Sequence, residues 1–139
     1  MRSVLALAVA LLALTTHSVA QDPPGTAIVN MVKEKVGADK PFALLVTAKV
    51  KDGMAEKFEA AAAAVAAGTL KEKGCRAYEF FRSTEDPNTF YLIEKWADLP
   101  ALEAHFKADH LTAFLKVFGE VADGQPKFVV AKSLAPPAK

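Results

Sequence analysis

The stretch Tyr91–His110, YLIEKWADLPALEAHFKADH, decides the predicted fold because it joins a strand to a helix at a clear boundary. Its first six residues have the composition of a half-buried strand that ends at Trp96. Asp98 followed by Pro100 is typical of a helix start, with Asp98 as the N-cap and the proline in the first turn. The same stretch holds His105 and His110, so it contains candidate catalytic residues as well as the pattern that indicates the fold.

The segments on either side extend this pattern to a βαββαβ order. Strands are predicted over residues 42–50, 75–82, 89–96 and 127–132, with helices over 54–73 and from Asp98 past Phe118. The second helix is predicted to break near Asp109-His110. This order is typical of a ferredoxin-like α+β fold, a four-stranded antiparallel sheet with two helices on one face.

The first twenty residues predict a cleaved signal peptide. Arg2 precedes an unbroken apolar run over 4–14, and Ser18-Val19-Ala20 supplies small residues at a cleavage site. The apolar run is too short to cross a bilayer core of roughly 30 Å as a helix, so no stable membrane anchor is expected. The mature protein would begin near Gln21 and be periplasmic or secreted.

Two further segments flank the predicted domain, which covers residues 42–132. Residues 21–41 form a lead-in, in which apolar residues at helical spacing favour a short helix. Residues 133–139 form a proline-containing tail that we expect to be disordered.

Composition argues against nucleic acid as a partner and against stabilisation by a disulfide. Seventeen basic residues against sixteen acidic ones give a net charge of +1, which argues against a nucleic-acid-binding surface. Cys75 is the only cysteine in the chain, so an intramolecular disulfide is impossible. The hydrophobic core must therefore hold the domain together.

The predicted strands are apolar on both faces, which bears on oligomeric state. Side chains alternate along a strand, so Leu44 and Leu45 point to opposite faces, as do Val129 and Val130. Each face therefore carries apolar side chains. Two helices can cover only one face. An uncovered apolar sheet predicts a homodimer through that face, and the alternative is that the lead-in covers it.

Several short motifs in this order resemble the antibiotic biosynthesis monooxygenase domain, a family that includes quinol monooxygenases. The resemblance runs from about Phe42 to Lys132. It rests on Gly74-Cys75-x-x-Tyr78, Arg82-Ser83-x-x-Asp86-Pro87, Phe90-x-x-x-Glu94-x-Trp96, Leu102-x-x-His105-x-x-x-x-His110 and Phe114. It implies a dimeric α+β barrel with a pocket between each sheet and its helices, and cofactor-free oxidation of a quinol or phenol by dioxygen.

The candidate catalytic residues are His105, Glu94 and His110. Histidine suits proton transfer near neutral pH, so His105 is the leading base for a substrate hydroxyl. Glu94 needs polar company if it is buried, and His105 and Arg82 are the possible partners. His110 would face away from His105 on an unbroken helix, because five residues correspond to about 140° of rotation. Only a helix break would turn it towards the pocket.

Four further residues are candidates for binding the substrate: Trp96, Tyr78, Phe106 and Phe114. The resemblance implies that Trp96 borders the pocket, whereas Tyr78 could face either the pocket or the dimer seam. The alternative to an enzyme is a non-catalytic barrel that binds a small ligand or haem, or acts in stress. In that case Glu94 and His105 would be structural tethers.

No metal and no cofactor are expected. The spacing of His105 and His110 is not the i, i+4 pair that ligates metals on one helix, and no glycine-rich dinucleotide loop is present. Haem-degrading members of the family use an asparagine on the first strand, where this sequence has Val46 or Thr47. No GxSxG motif supports a serine hydrolase.

Overall fold

The computed structural model describes residues 25–134 of the chain. The predicted signal peptide and most of the predicted tail lie outside the described residues. Eight elements follow in chain order: α1 (Thr26–Lys35), β1 (Phe42–Lys49), α2 (Ala55–Thr69), β2 (Cys75–Arg82), β3 (Thr89–Trp96), α3 (Leu99–His105), α4 (Asp109–Val121) and β4 (Lys127–Lys132).

The four strands form one antiparallel sheet in the order β2-β3-β1-β4. β3 lies between β1 and β2, so Glu94 is paired with Leu44 on one side and with Tyr78 on the other. This confirms the ferredoxin-like prediction, and the bounds predicted for β2, β3 and β4 agree with the structure. The agreement follows from period-two patterning bounded by turn residues.

The helices differ from the prediction in number. The predicted second helix is divided into α3 and α4, because the chain leaves helical geometry after His105 and α4 begins at Asp109. The short helix favoured in the lead-in is present as α1. With the second helix divided near the predicted break, four helices accompany the sheet. Asp98 caps α3 as predicted, and its carboxylate accepts a hydrogen bond from the Ala101 amide at 2.9 Å. In the described part of the chain, no helix is long and apolar enough to cross a membrane.

The core lies between one face of the sheet and the helices. Large side chains in it are almost fully buried, among them Leu44, Phe58, Trp96 and Leu102. Phe58 of α2 is 4.4 Å from Phe90 of β3, measured between ring centroids. Alternating burial along β1 and β3 matches the period of a strand covered on one side.

The other face of the sheet carries exposed apolar side chains. Leu45, Phe81, Tyr91 and Val129 retain 42%, 45%, 42% and 58% of their accessible surface. The lead-in does not cover them, because α1 packs near α3 and β4 and contributes Ile28 and Met31 to a cavity on the helix side. We refer to this uncovered surface as the outer face.

Candidate active site

A cavity of about 380 Å³ lies between the sheet and the helices. Its walls are mainly apolar, and all four sheet strands and all four helices of the described chain contribute to them. The lining includes Leu44, Val46, Phe58, Phe80, Leu92, Phe106, Leu111, Phe114 and Phe128. Besides Tyr91, whose exposed side chain alternates to the outer face, three lining residues carry polar groups: Tyr78, Glu94 and His105. A few converging polar groups in an apolar cavity are typical of a small-molecule site.

Glu94 is a buried carboxyl group held by a neighbour on its own strand. Glu94 and Trp96 point to the same face because they are two residues apart, and the Trp96 indole N–H donates to Oε2 of Glu94 at 2.8 Å. No ion pair formed by the described residues includes Glu94. Desolvation therefore raises the pKa of Glu94 from 4.5 to about 7, against the opposing effect of the indole hydrogen bond.

His105 is packed between aromatic rings and fixed by a second carboxylate. Its ring centroid is 4.9 Å from that of Trp96 and 5.5 Å from that of Tyr78. Nδ1 of His105 is 2.8 Å from Oε1 of Glu72, which leaves Nε2 as the ring nitrogen available to a ligand. Burial lowers the pKa of His105, and the Glu72 carboxylate opposes that shift.

His110 reaches the same Glu72 oxygen through Nε2, at 2.5 Å. The helix break brings the two rings to a centroid distance of 6.0 Å. The helix break predicted near Asp109-His110 is therefore present, and the condition under which the two histidines approach each other is met. The spacing argument against a pair of metal ligands assumed one continuous helix and does not apply. Glu72, His105 and His110 place one ligand atom each within 4.8 Å of one another, and these are the described residues best placed to hold a metal ion.

Gly68 makes room for His110. A Cβ atom at Gly68 would lie 2.6 Å from Cγ of the His110 ring, which is closer than such atoms approach in proteins. A glycine inside a helix is destabilising relative to alanine, so a packing reason is expected for it. The close approach of α2 and α4 is that reason.

The structure brings together most of the predicted site residues, with two corrections. Tyr78, Phe106 and Phe114 line the cavity with Glu94 and His105, which resolves the orientation of Tyr78. Trp96 does not line it: its side chain is fully buried and acts by holding Glu94.

The second correction concerns the hydrogen-bond partners of the acidic and basic groups. Glu94 pairs with neither His105 nor Arg82, because His105 contacts Glu72 and Arg82 forms an ion pair with Glu59. Glu72 was missed by the sequence analysis. Glu72 lies between two lysines at the end of the predicted helix, and this pattern is typical of a solvent-exposed helix end. Nothing in the local sequence therefore indicates that its carboxylate meets two histidines.

Comparison with known proteins places the whole arrangement in a family. The sequence model of "Antibiotic biosynthesis monooxygenase" matches residues 41–117, which is more than half of the chain.

The chain belongs to the antibiotic biosynthesis monooxygenase family. Its matched region begins after α1, so the helix that closes one side of the cavity precedes the family domain.

Two relatives are similar to this chain in sequence. A Bacillus subtilis protein named "Putative monooxygenase YcnE" is 31% identical over 67 residues, which are 48% of this chain and 70% of that protein. An uncharacterized protein of Synechocystis is 28% identical over 87 residues, or 63% of this chain, and the match spans 59% of that protein's length.

Solved structures share the fold. A Pseudomonas aeruginosa protein, 30% identical, has a TM-score of 0.64 and aligns over 69% of this chain and 96% of its own. A Nitrosomonas europaea protein named "Putative antibiotic biosynthesis monooxygenase" has a TM-score of 0.68 at 22% identity, covering 73% of this chain and 96% of its own. At that identity the second similarity concerns the fold alone.

Proposed function

We propose that this protein is an exported monooxygenase that uses no bound cofactor and oxidises a small planar aromatic of the quinol or phenol type with dioxygen. Membership of the antibiotic biosynthesis monooxygenase family and the name of the B. subtilis relative support the reaction class. The observation that carries the proposal is the apolar cavity of about 380 Å³ with Tyr78, Glu94 and His105 in its lining. Its volume lies within the range of about 300–1,000 Å³ of small-ligand sites.

The walls of the cavity suit a flat aromatic ring. Phe58, Phe80, Phe106 and Phe114 contribute aromatic surface to it, and aromatic rings pack favourably in offset or edge-on contact. The polar groups would then meet the hydroxyl groups of such a substrate, because an apolar wall leaves a hydroxyl without a hydrogen-bond partner.

Glu94 is the group that we assign as the proton acceptor. Its raised pKa, about 7, makes it a stronger base than an ordinary carboxylate, whereas burial weakens His105 as a base. This assignment moves the leading role from His105 to Glu94. His105, oriented by Glu72, would form a hydrogen bond to a substrate oxygen through Nε2.

Removing the hydroxyl proton makes the ring electron-rich enough to reduce dioxygen directly. One oxygen atom then enters the ring and the other leaves as water, so that a quinol becomes a hydroxyquinone. The substrate supplies all of the electrons, and therefore no external reductant is needed.

The oligomeric part of the proposal is a homodimer through the outer face. Leu45, Tyr91 and Val129 lie there on adjacent strands, and apolar patches of this kind are typical of interfaces. Replacing Tyr91 by Lys should yield a monomer in light-scattering measurements. Leu70→Lys is the matched control, because Leu70 is 56% exposed but lies beyond the end of α2. A monomeric wild-type protein would remove the dimer proposal.

Export rests on the N-terminal sequence alone. Mass spectrometry of the protein recovered from its native host should give a chain that begins near Gln21. A chain that retains residues 1–20 would contradict the proposal.

The reaction is tested by oxygen uptake with a panel of quinols and anthrones. Wild-type protein should exceed the autoxidation rate, with activity rising as the pH passes through about 7 and Glu94 ionises. Glu94→Gln should reduce the rate by about 100-fold or more, the usual contribution of a general base. Glu85→Gln, at an exposed carboxylate in the turn between β2 and β3, is the matched control and should leave it unchanged.

Two outcomes would count against the proposal. Uptake that survives in Glu94→Gln removes Glu94 as the base. Saturable ligand binding with no excess uptake for any substrate would favour the alternative, a non-catalytic ligand-binding protein.

A further inference from the structure

We propose that Glu72, His105 and His110 bind one divalent transition-metal cation, such as Zn²⁺, beside the cavity. The three side chains come from the turn after α2, the last residue of α3 and the first turn of α4. The proposed oxidation assigns proton transfer to Glu94 and needs no cation, so the metal site goes beyond it and can fail independently.

The ligand atoms already converge on one point. Oε1 of Glu72 is 2.8 Å from Nδ1 of His105 and 2.5 Å from Nε2 of His110, and all three atoms lie within 4.8 Å. Tetrahedral Zn²⁺ with bonds of about 2.0–2.1 Å separates its ligand atoms by roughly 3.3 Å. Loss of the two hydrogen-bonding protons, a retreat of the carboxylate by about 0.5–1 Å and an approach of the two ring nitrogens, which now lie within 4.8 Å of each other, would therefore create the site.

The surrounding residues hold two of the ligands in place. His105 is 2% exposed and packs against Trp96, while the ring of His110 lies over Gly68. The main chain of Glu72 is tied into its turn, because its amide donates to the Thr69 carbonyl at 2.9 Å. Little conformational freedom remains to be lost on binding, which favours affinity.

A cation also has a route to the cluster. The side chains of Glu72 and His110 are 15% and 30% exposed, so the cluster meets solvent on the side away from buried His105. Three protein ligands leave a fourth position for water, the pattern of open zinc sites.

The donor set selects the class of cation. Two imidazoles and one carboxylate suit Zn²⁺, Cu²⁺, Ni²⁺, Co²⁺ or Fe²⁺, whereas Mg²⁺ and Ca²⁺ prefer sites made of oxygen alone. Coordination through Nδ1 would place the proton of neutral His105 on Nε2. The metal would thereby fix His105 as a hydrogen-bond donor to a ligand in the cavity.

Cobalt provides a direct test that does not depend on activity. The tag-free protein of residues 21–139 is stripped with a chelator and titrated with Co²⁺, and the visible absorption of four-coordinate Co²⁺ is recorded. We expect one equivalent per chain, and displacement of the band by Zn²⁺. Glu72→Gln and His110→Ala should each weaken binding by about ten-fold or more, because each removes a direct ligand.

Controls separate the metal site from folding and from adventitious binding. Glu85→Gln should bind Co²⁺ like the wild type, and circular dichroism should show that all variants are folded. Absence of the band in the wild type, or a band that persists in both ligand variants, would overturn the proposal. Either result would leave the oxygen-uptake test of Glu94 unaffected.

Discussion

The buried carboxyl of Glu94 should make the stability of this protein depend on pH in a way that Glu94→Gln removes. Glu94 is 6% exposed, and its carboxylate accepts a hydrogen bond from Trp96 but is in no ion pair among the described residues. Raising its pKa from 4.5 to about 7 disfavours the ionised form by about 3 kcal/mol, at about 1.4 kcal/mol for each pH unit.

The sign of this pH dependence follows from the difference in protons bound by the folded and unfolded chains. Below pH 4.5 both folded and unfolded chains carry the proton, and the stabilising effect is fully present. Between pH 4.5 and about 7 the unfolded chain loses the proton while the folded chain keeps it, so the free energy of unfolding falls as the pH rises. Above about pH 7 the full effect, about 3 kcal/mol, has been lost.

The measurement is urea unfolding of wild type and Glu94→Gln from pH 4 to pH 8, at constant ionic strength and protein concentration. Glutamine can accept the indole hydrogen bond and does not ionise. The variant should therefore gain about 3 kcal/mol relative to the wild type between the two ends of the range. Taking the difference cancels the contributions of other groups, including His105. Glu85→Gln, at an exposed position in the turn between β2 and β3, should show a flat difference, and a flat difference for Glu94→Gln would refute the reasoning.

Two further stability predictions use matched pairs in thermal or urea unfolding. Gly68→Ala should destabilise the protein by about 1–3 kcal/mol through overpacking against His110, whereas Gly119→Ala, where a Cβ meets no atom within 4 Å, should stabilise it by about 0.5–1 kcal/mol. Equal effects at the two glycines would contradict the packing argument. Leu102→Ala, at a fully buried position, should cost about 2–5 kcal/mol, whereas Leu134→Ala, which is 100% exposed, should cost almost nothing. A much smaller loss of stability in Leu102→Ala would contradict this prediction, because it would mean that neighbouring side chains fill the space left by the leucine.

The candidate site was predictable only where its geometry is local. Glu94 and Trp96 share a face because strand side chains alternate, and the hydrogen bond between them follows from that spacing. The relation between His105 and His110 depends on whether the chain between them stays helical. The sequence marked a break near Asp109-His110, yet only the coordinates show how far the rings approach.

By itself, the sequence determined the order of the strands, the bounds of β2, β3 and β4, the N-cap at Asp98 and the apolar character of both sheet faces. Such features arise from periodicity and capping within a few residues. The tertiary structure alone decided that Glu72 meets two histidines that are 33 and 38 residues away, and that Trp96 supports the cavity without lining it. The physical reason is that these contacts depend on the packing of α2 against α4 and of the helices on the sheet, which no local spacing encodes.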